Sequence, residues 1–458
     1  MIRGLTFILL LATAPSFGQN YPATPQYSTF QPLVGGSNTT RSNAPQYQSP
    51  VPQVQVGATA SDIRNNQANR AMYQTATQKQ KEVAELMQQI QRDAANTSRR
   101  RYAPNPERTN DFHPALAYLQ KMLKGDIPLS VADAYFAVEH AFGNPYLTKQ
   151  QFDSLISQSA DFIKTWMQQN GLSLQDNNMV HYAIKKFMAE PLTIQKTQSS
   201  NENNLQASTI THEPFRYDYK DYQAYDDHRN MFVTKCLATG FGQCASMPIV
   251  YLILAEKLGV KAYLSFAPQH SFIKHPDNSG YIINYEPTSG WEISDSWYRD
   301  NMHISAQAVK TGIYLDTLNS KQVVANCAFD LAVQYIRVDL TGNEEFILDC
   351  LHTGIPHFPE NNNLQSLFIY STHLKTVLRE MMRKYKITNF EDLYKIPEAK
   401  AIYTEYIGNE AYITKLGYED MPAGMYEAML QEHEFKNNVQ QELSVNGKEK
   451  RNLFIKPE

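Results

Sequence analysis

Apolar residues return at helical spacing along much of the chain. Val83, Leu86, Met87 and Ile90 form one stripe inside a helix-favouring stretch from Ser61 to Ala95. Between Phe112 and Met188 the same spacing predicts several amphipathic helices with clear punctuation. Gly125 and Pro128 end the first, Ser130 caps the next, and Thr148 with Gln151 makes a capping box ahead of Phe152, Leu155 and Ile156. Phe162, Ile163, Trp166 and Met167 carry that face to Gly171, and Val180, Tyr182, Ile184 and Phe187 predict a further helix before Pro191. Residues 193–211 are polar and poor in charge, which predicts a linker.

The pattern then intensifies. Met247, Val250, Tyr251, Leu254 and Leu258 lie on a segment that is apolar on nearly every side and stops at Gly259, so a buried helix is predicted. Pro248 is tolerated only near a first turn, which keeps the helix start close to Cys244. Gly242 lets the backbone turn closely just before it. Strand patterning follows from Ala262 to Ala267, breaks at Pro268, resumes from His270 to Lys274, and returns from Tyr281 to Glu286 after the turn signal of Pro276 to Gly280. A hairpin centred on Asn278 sets His270 opposite Glu286, with side chains about 5 Å apart on one face. Asn284 is diagonal to His270 on that face, and a slip of one residue would send Glu286 to the other.

Beyond residue 340 the pattern is helical again. The stretch CLHTGIPHFPENNNLQSLFIYSTHL reads as helix, Pro-Asn turn, helix, and resembles one tetratricopeptide-type unit, with later helices around Ser371 to Lys386 and Met421 to Gln431 as stacking partners. The expected organisation is a segment 1–18, a leader 19–60, a helical domain 61–192, a linker 193–211, a cysteine-bearing domain 212–340, a helical region 341–440 and a tail 441–458.

Composition narrows the function classes. The 458 residues are 42% hydrophobic, enough for two or three cored domains. With 42 basic against 46 acidic residues the net charge is −4, so no global field directs the chain to nucleic acid. The leader from Asn20 to Ala60 has too little apolar surface to offset chain entropy. Arg3, the apolar run from Leu5 to Ala12, and small Ser16 and Gly18 read as a secretory signal cut after Gly18, so an exported protein, periplasmic or secreted, is expected, with no membrane span. Export permits disulfides among Cys236, Cys244, Cys327 and Cys350, and a Cys236–Cys244 bridge is one alternative. His140, His181, His275, His303, His352 and His357 lack metal-ligand spacing, so neither a metal nor another cofactor is expected.

A thiol near a helix N-terminus and beside an imidazole becomes a better nucleophile, because both favour the thiolate. A carboxylate or amide on the far side of the imidazole sets its tautomer. Cys244, His270 and Glu286, with Asn284 as the alternative orienting group, form such a set. Gly-x-Cys ahead of a buried helix, His at a strand start, then an acidic residue followed by Pro-Thr resembles the transglutaminase-like superfamily, a branch of the papain-like cysteine fold, over roughly Asn230 to Trp297. The resemblance implies an α+β fold, with the buried helix packed on an antiparallel sheet and helical regions on either side. It also implies Cys244 as nucleophile, His270 as base and Glu286 as third member, where the family usually has Asp. Ala245 and Ser246 stand where many active relatives carry a tryptophan. The implied activity is acyl transfer or amide hydrolysis on a peptide or protein. The alternative is an inactive binding or scaffold protein that holds a cell-envelope partner through the tetratricopeptide-like helices.

Overall fold

The computed structural model describes residues 109–199, 205–338, 344–387, 390–422, 424–431 and 434. The expected signal, the leader, the stripe within 61–95 and the tail from 441 lie outside these residues.

Four helices come first: α1 (Phe112–Lys124), α2 (Val131–Phe142), α3 (Lys149–Gln169) and α4 (Asn177–Ala189). Their starts follow the side chains that can satisfy orphan N–H groups. Ser130 Oγ accepts from Asp133 N, Thr148 and Gln151 form both halves of a capping box, and the Asp176 carboxylate caps α4. The polar run after them is not a plain linker. β1 (Leu192–Ser199) and β2 (Leu205–His212) pair antiparallel. Leu192 and Ile194 are buried between exposed Thr193 and Gln195, a two-residue alternation that the polar composition hid.

β3 (Arg216–Tyr217) pairs in parallel with β4 (Phe241–Gly242), and α5 (Val233–Thr239) lies between them in sequence. α6 (Met247–Leu258) follows, and every residue from Met247 to Ala255 is buried. It packs against α2, α3, α4, α5 and the two strands that come next. Pro248 sits in its first turn, as its missing N–H requires, and Gly259 ends it at φ 77°, a conformation that a side chain would strain.

β5 (Tyr263–Ala267), β6 (His270–Pro276), β7 (Ile282–Glu286) and β8 (Trp291–Glu292) form an antiparallel sheet in chain order. Pro268 and Gln269 make the tight turn between β5 and β6, where Ala267 pairs with His270. α7 (Asp295–Asn301), α8 (Ala306–Lys310), α9 (Ser320–Val338), α10 (Glu344–Gly354), α11 (Leu364–Lys384), α12 (Phe390–Tyr394) and α13 (Pro397–Lys415) complete the order, followed by helical residues 425–431. The chain passes from α10 to α11 through short 3-10 turns at Ile355–His357 and Pro359–Asn361.

One apolar core runs through the described residues from Phe112 to Leu430. α9, buried on nearly all sides, touches α1, α2, α10 and α11 and so ties the leading helices to the later ones. The result is a mixed helix and sheet fold. Among the described residues no helix is long and apolar enough to cross a membrane.

Candidate active site

Cys244 lies three residues before α6 rather than at its first residue, half-buried on a turn. Gln243 O accepts from Ser246 N at 3.0 Å and Met247 N at 2.9 Å, and this closes the turn before the helix begins. The turn is held from three directions. Ser271 Oγ donates to Cys244 O at 2.5 Å, Ser246 Oγ accepts from Gln243 N at 3.0 Å, and Gln243 Nε2 reaches Asp221 O at 3.2 Å. Gly242 is required by contact. A Cβ there would meet Cys236 Sγ at 2.6 Å, Met247 Cγ at 2.8 Å and Ser246 Oγ at 2.9 Å.

His270 is the first residue of β6 and is 8% exposed. Its Nε2 bonds Glu286 Oε2 at 2.5 Å. The β6–β7 register is two residues away from the one the turn signal suggested. Lys274 faces Asn284 and Ile273 faces Tyr285, so the turn centres on Ser279 and Phe272 is the residue level with Glu286. A shift of two keeps facing parity, so His270 reaches Glu286 on the diagonal.

Glu286, 4% exposed, has both oxygens engaged. Oε1 accepts from Thr288 N at 3.2 Å and Thr288 Oγ1 at 2.7 Å, while Oε2 also accepts from Tyr298 OH at 3.0 Å. Burial alone would push this carboxyl up, but the His270 charge and the hydrogen bonds from His270 and Thr288 bring it below its ordinary value. Burial likewise disfavours a charged His270, and here too the partners prevail. The Glu286 charge and hydrogen bond, with the neighbouring Cys244 thiol, push the imidazole up to about 10. Nε2 is committed to Glu286, so Nδ1, which is buried and makes no other hydrogen bond, is the nitrogen left for the thiol.

The sulfur has two further neighbours. Gln269 O is 3.8 Å from Cys244 Sγ, presented by a residue in the left-handed region at φ 56°. Tyr426 OH is 3.7 Å from the same sulfur, on a helical turn 182 residues further along the chain. Tyr217, beside Gly242 in the β3–β4 pair, lies close enough to Tyr426 for the two phenols to perturb each other. Burial pushes both phenols well up.

Asn284 does not orient His270. Its Nδ2 donates to Asp295 Oδ1 at 2.8 Å, where Lys274 Nζ also bonds at 2.7 Å. The register shift explains this, since it pairs Asn284 with Lys274 and takes it away from the imidazole. Thr288, Tyr298, Tyr217 and Tyr426 were not singled out by sequence reasoning. Thr288 has a local signal in the Glu-Pro-Thr run, because a hydroxyl two residues after a carboxylate can close on it. The tyrosines have none.

All four cysteines are free thiols, so no bridge joins Cys236 to Cys244. Cys236 is fully buried, and burial, opposed by Ser246 and Lys235, pushes its thiol up to about 12. Among the described residues no group of three His, Cys, Asp or Glu side chains is placed to hold a metal. His181, instead, stacks on His275 with ring centres 4.0 Å apart and bonds Tyr251 OH at 2.9 Å.

No curated protein and no solved structure matches the chain. Residues 184–328 do match the family model described as Transglutaminase-like superfamily. The segment 184–328, which carries Cys244, His270 and Glu286, is thus a transglutaminase-like superfamily domain.

Proposed function

We propose that the chain is a cysteine acyl-transfer enzyme acting on a peptide or protein amide, with Cys244 as nucleophile, His270 as proton carrier and Glu286 as the group that orients and charges the imidazole. The observation that carries this reading is the buried His270–Glu286 pair at 2.5 Å, with the second ring nitrogen left for a half-buried thiol. An imidazolium at that place stabilises a thiolate, and the thiolate is the reactive form.

The steps follow from those positions. Cys244 sulfur attacks the amide carbonyl carbon, and negative charge moves to the oxygen. Ser246 N and Met247 N are already taken by Gln243 O, so the N–H groups of Cys244 and Ala245 are the donors this proposal assigns to that oxyanion. The C–N bond breaks as the imidazolium gives its proton to the departing amine, leaving a thioester and a neutral imidazole. Water or a second amine then loses a proton to His270 as it attacks the thioester, and the thiolate and imidazolium are restored. Glu286 remains ionised throughout, held by His270, Thr288 and Tyr298.

Export and the tetratricopeptide-like character of the later helices are part of the same proposal, resting on the N-terminal pattern and on the helix–turn–helix of α10 and α11. The deciding experiment is single-turnover release of amine from a glutaminyl or peptidyl amide, with thioester trapping on Cys244. Turnover retained in Cys244→Ser would remove the proposal and favour the binding-protein alternative.

A further inference from the structure

Next to the cysteine turn lies a cavity of about 70 Å3, bounded on that side by Ala245 and Ser271 and walled by Glu139, Asp330, Gln334 and His228. The space is enough for a few water-sized groups. Its polar wall carries the acceptors of Glu139, Asp330 and Gln334, alongside the donors of Tyr135 and Asn326. Glu139, on α2, accepts from Val233 N at 2.5 Å, Thr234 N at 3.0 Å and Thr234 Oγ1 at 2.6 Å. Asp330, on α9, accepts from Gln365 Nε2 at 2.7 Å. Neither carboxyl has an ion-pair partner among the described residues. Burial pushes Glu139 up to about 7 and Asp330 up to about 6, against the hydrogen bonds that favour the charged forms.

One further acceptor and one ring nitrogen stand without partners. Gln334 is 4% exposed and its Oε1 has no partner, and His228 is 8% exposed with Nδ1 unpartnered. Burial and the Arg337 charge hold His228 neutral, so Nδ1 accepts in the tautomer that carries its proton on Nε2. A buried acceptor without a donor costs about 1–3 kcal/mol, and two buried carboxyls without an ion-pair partner are stabilised either by taking up a proton or by a bound cation. These groups do not converge as metal ligands among the described residues. An organic ammonium satisfies both needs, and the apolar remainder of the wall suits its alkyl stem.

We propose that this cavity is a recognition subsite for a protonated primary amine on an aliphatic stem, carried by the acyl substrate whose carbonyl is presented to Cys244. The ammonium is not the nucleophile, because carboxylates around it keep it protonated. That the carbonyl belongs to the same molecule rests on the acyl-transfer reading above, while the binding of an ammonium does not.

Calorimetry and thermal melting of full-length Cys244→Ser protein with n-butylammonium chloride, against n-butanol as the neutral isostere, separate the two. The expected result is binding and a raised melting temperature with n-butylammonium only, weakened about tenfold in Gln334→Leu by loss of a hydrogen bond to charge. Asp330→Asn, which keeps the side-chain shape, weakens it as well and covers the case of misfolding in the first variant. Equal binding of n-butanol, absence of binding, or affinity unchanged in both variants overturns the subsite. Iodoacetamide labelling of wild-type Cys244 is read independently, so an inert thiol with intact ammonium binding would remove the acyl-transfer reading and leave the subsite.

Discussion

His270 and Glu286 meet on the diagonal of the β6–β7 hairpin, joined by a 2.5 Å hydrogen bond although Phe272 is the residue level with Glu286. The contact survives an unexpected register because that register differs by an even number of residues, so both side chains keep one face.

The pair gives the protein a pH signature. His270 is raised from 6.5 to about 10, so its contribution to stability is full below 6.5 and is lost as pH climbs through 10. Glu286 is depressed from 4.5, so its contribution is full above 4.5 and is lost as pH falls through its native value. Both contributions are therefore complete only between about 4.5 and 6.5. Melting curves across pH should show stability declining from pH 7 towards 10, with that slope reduced in Glu286→Gln; an unchanged slope in the variant would disprove the assignment.

Glu286→Gln should also slow acyl transfer about 10²- to 10⁴-fold, the usual contribution of a positioned acid–base group. Proton NMR of the His270 ring is the companion measurement. Its titration should move down from about 10 in the variant.

Asn284→Ala tests the opposite case. Because Asn284 serves Asp295 and Lys274 rather than His270, the substitution should cost about 1 kcal/mol of stability through a lost hydrogen bond. Cys244 labelling kinetics should stay at the wild-type rate, and a changed rate would place Asn284 in the imidazole network after all.

Native protein treated with iodoacetamide should be modified at Cys244 and spared at Cys236, Cys327 and Cys350, which are fully buried. Peptide mapping reads the result directly. Tyr426→Phe removes the hydroxyl 3.7 Å from the sulfur, and a donor worth about 1 kcal/mol to the thiolate should slow labelling about fivefold.

Gly242→Ala should destabilise the fold by about 1–3 kcal/mol. The added methyl would lie 2.6 Å from Cys236 Sγ, and this packed turn cannot yield without moving Cys244. Urea unfolding monitors the loss, and Cys244 labelling should change with it.

Much of this was legible in local sequence. The caps at Ser130 and Thr148 set helix starts wherever a side chain satisfies its own neighbouring backbone. Pro248 and Gly259 bracket the buried helix, and Gly280 lies in the turn between the two strands that hold His270 and Glu286. The hairpin was hidden because the inward alternation of Leu192 and Ile194 sits within a polar run.

Taken alone, then, the sequence determined the order of the buried helix and the three strands that follow Cys244 and the facing parity of His270 and Glu286, since periodicity and turn residues act over a few positions. Tertiary structure alone decided the diagonal contact, the diversion of Asn284 to Asp295, the arrival of Tyr298 and Tyr426, and the acceptor-lined cavity beside Ala245. The first three turn on strand register and on how α7 packs back on the sheet, the last two on segments far apart in the chain, and such contacts leave no periodic mark on either segment.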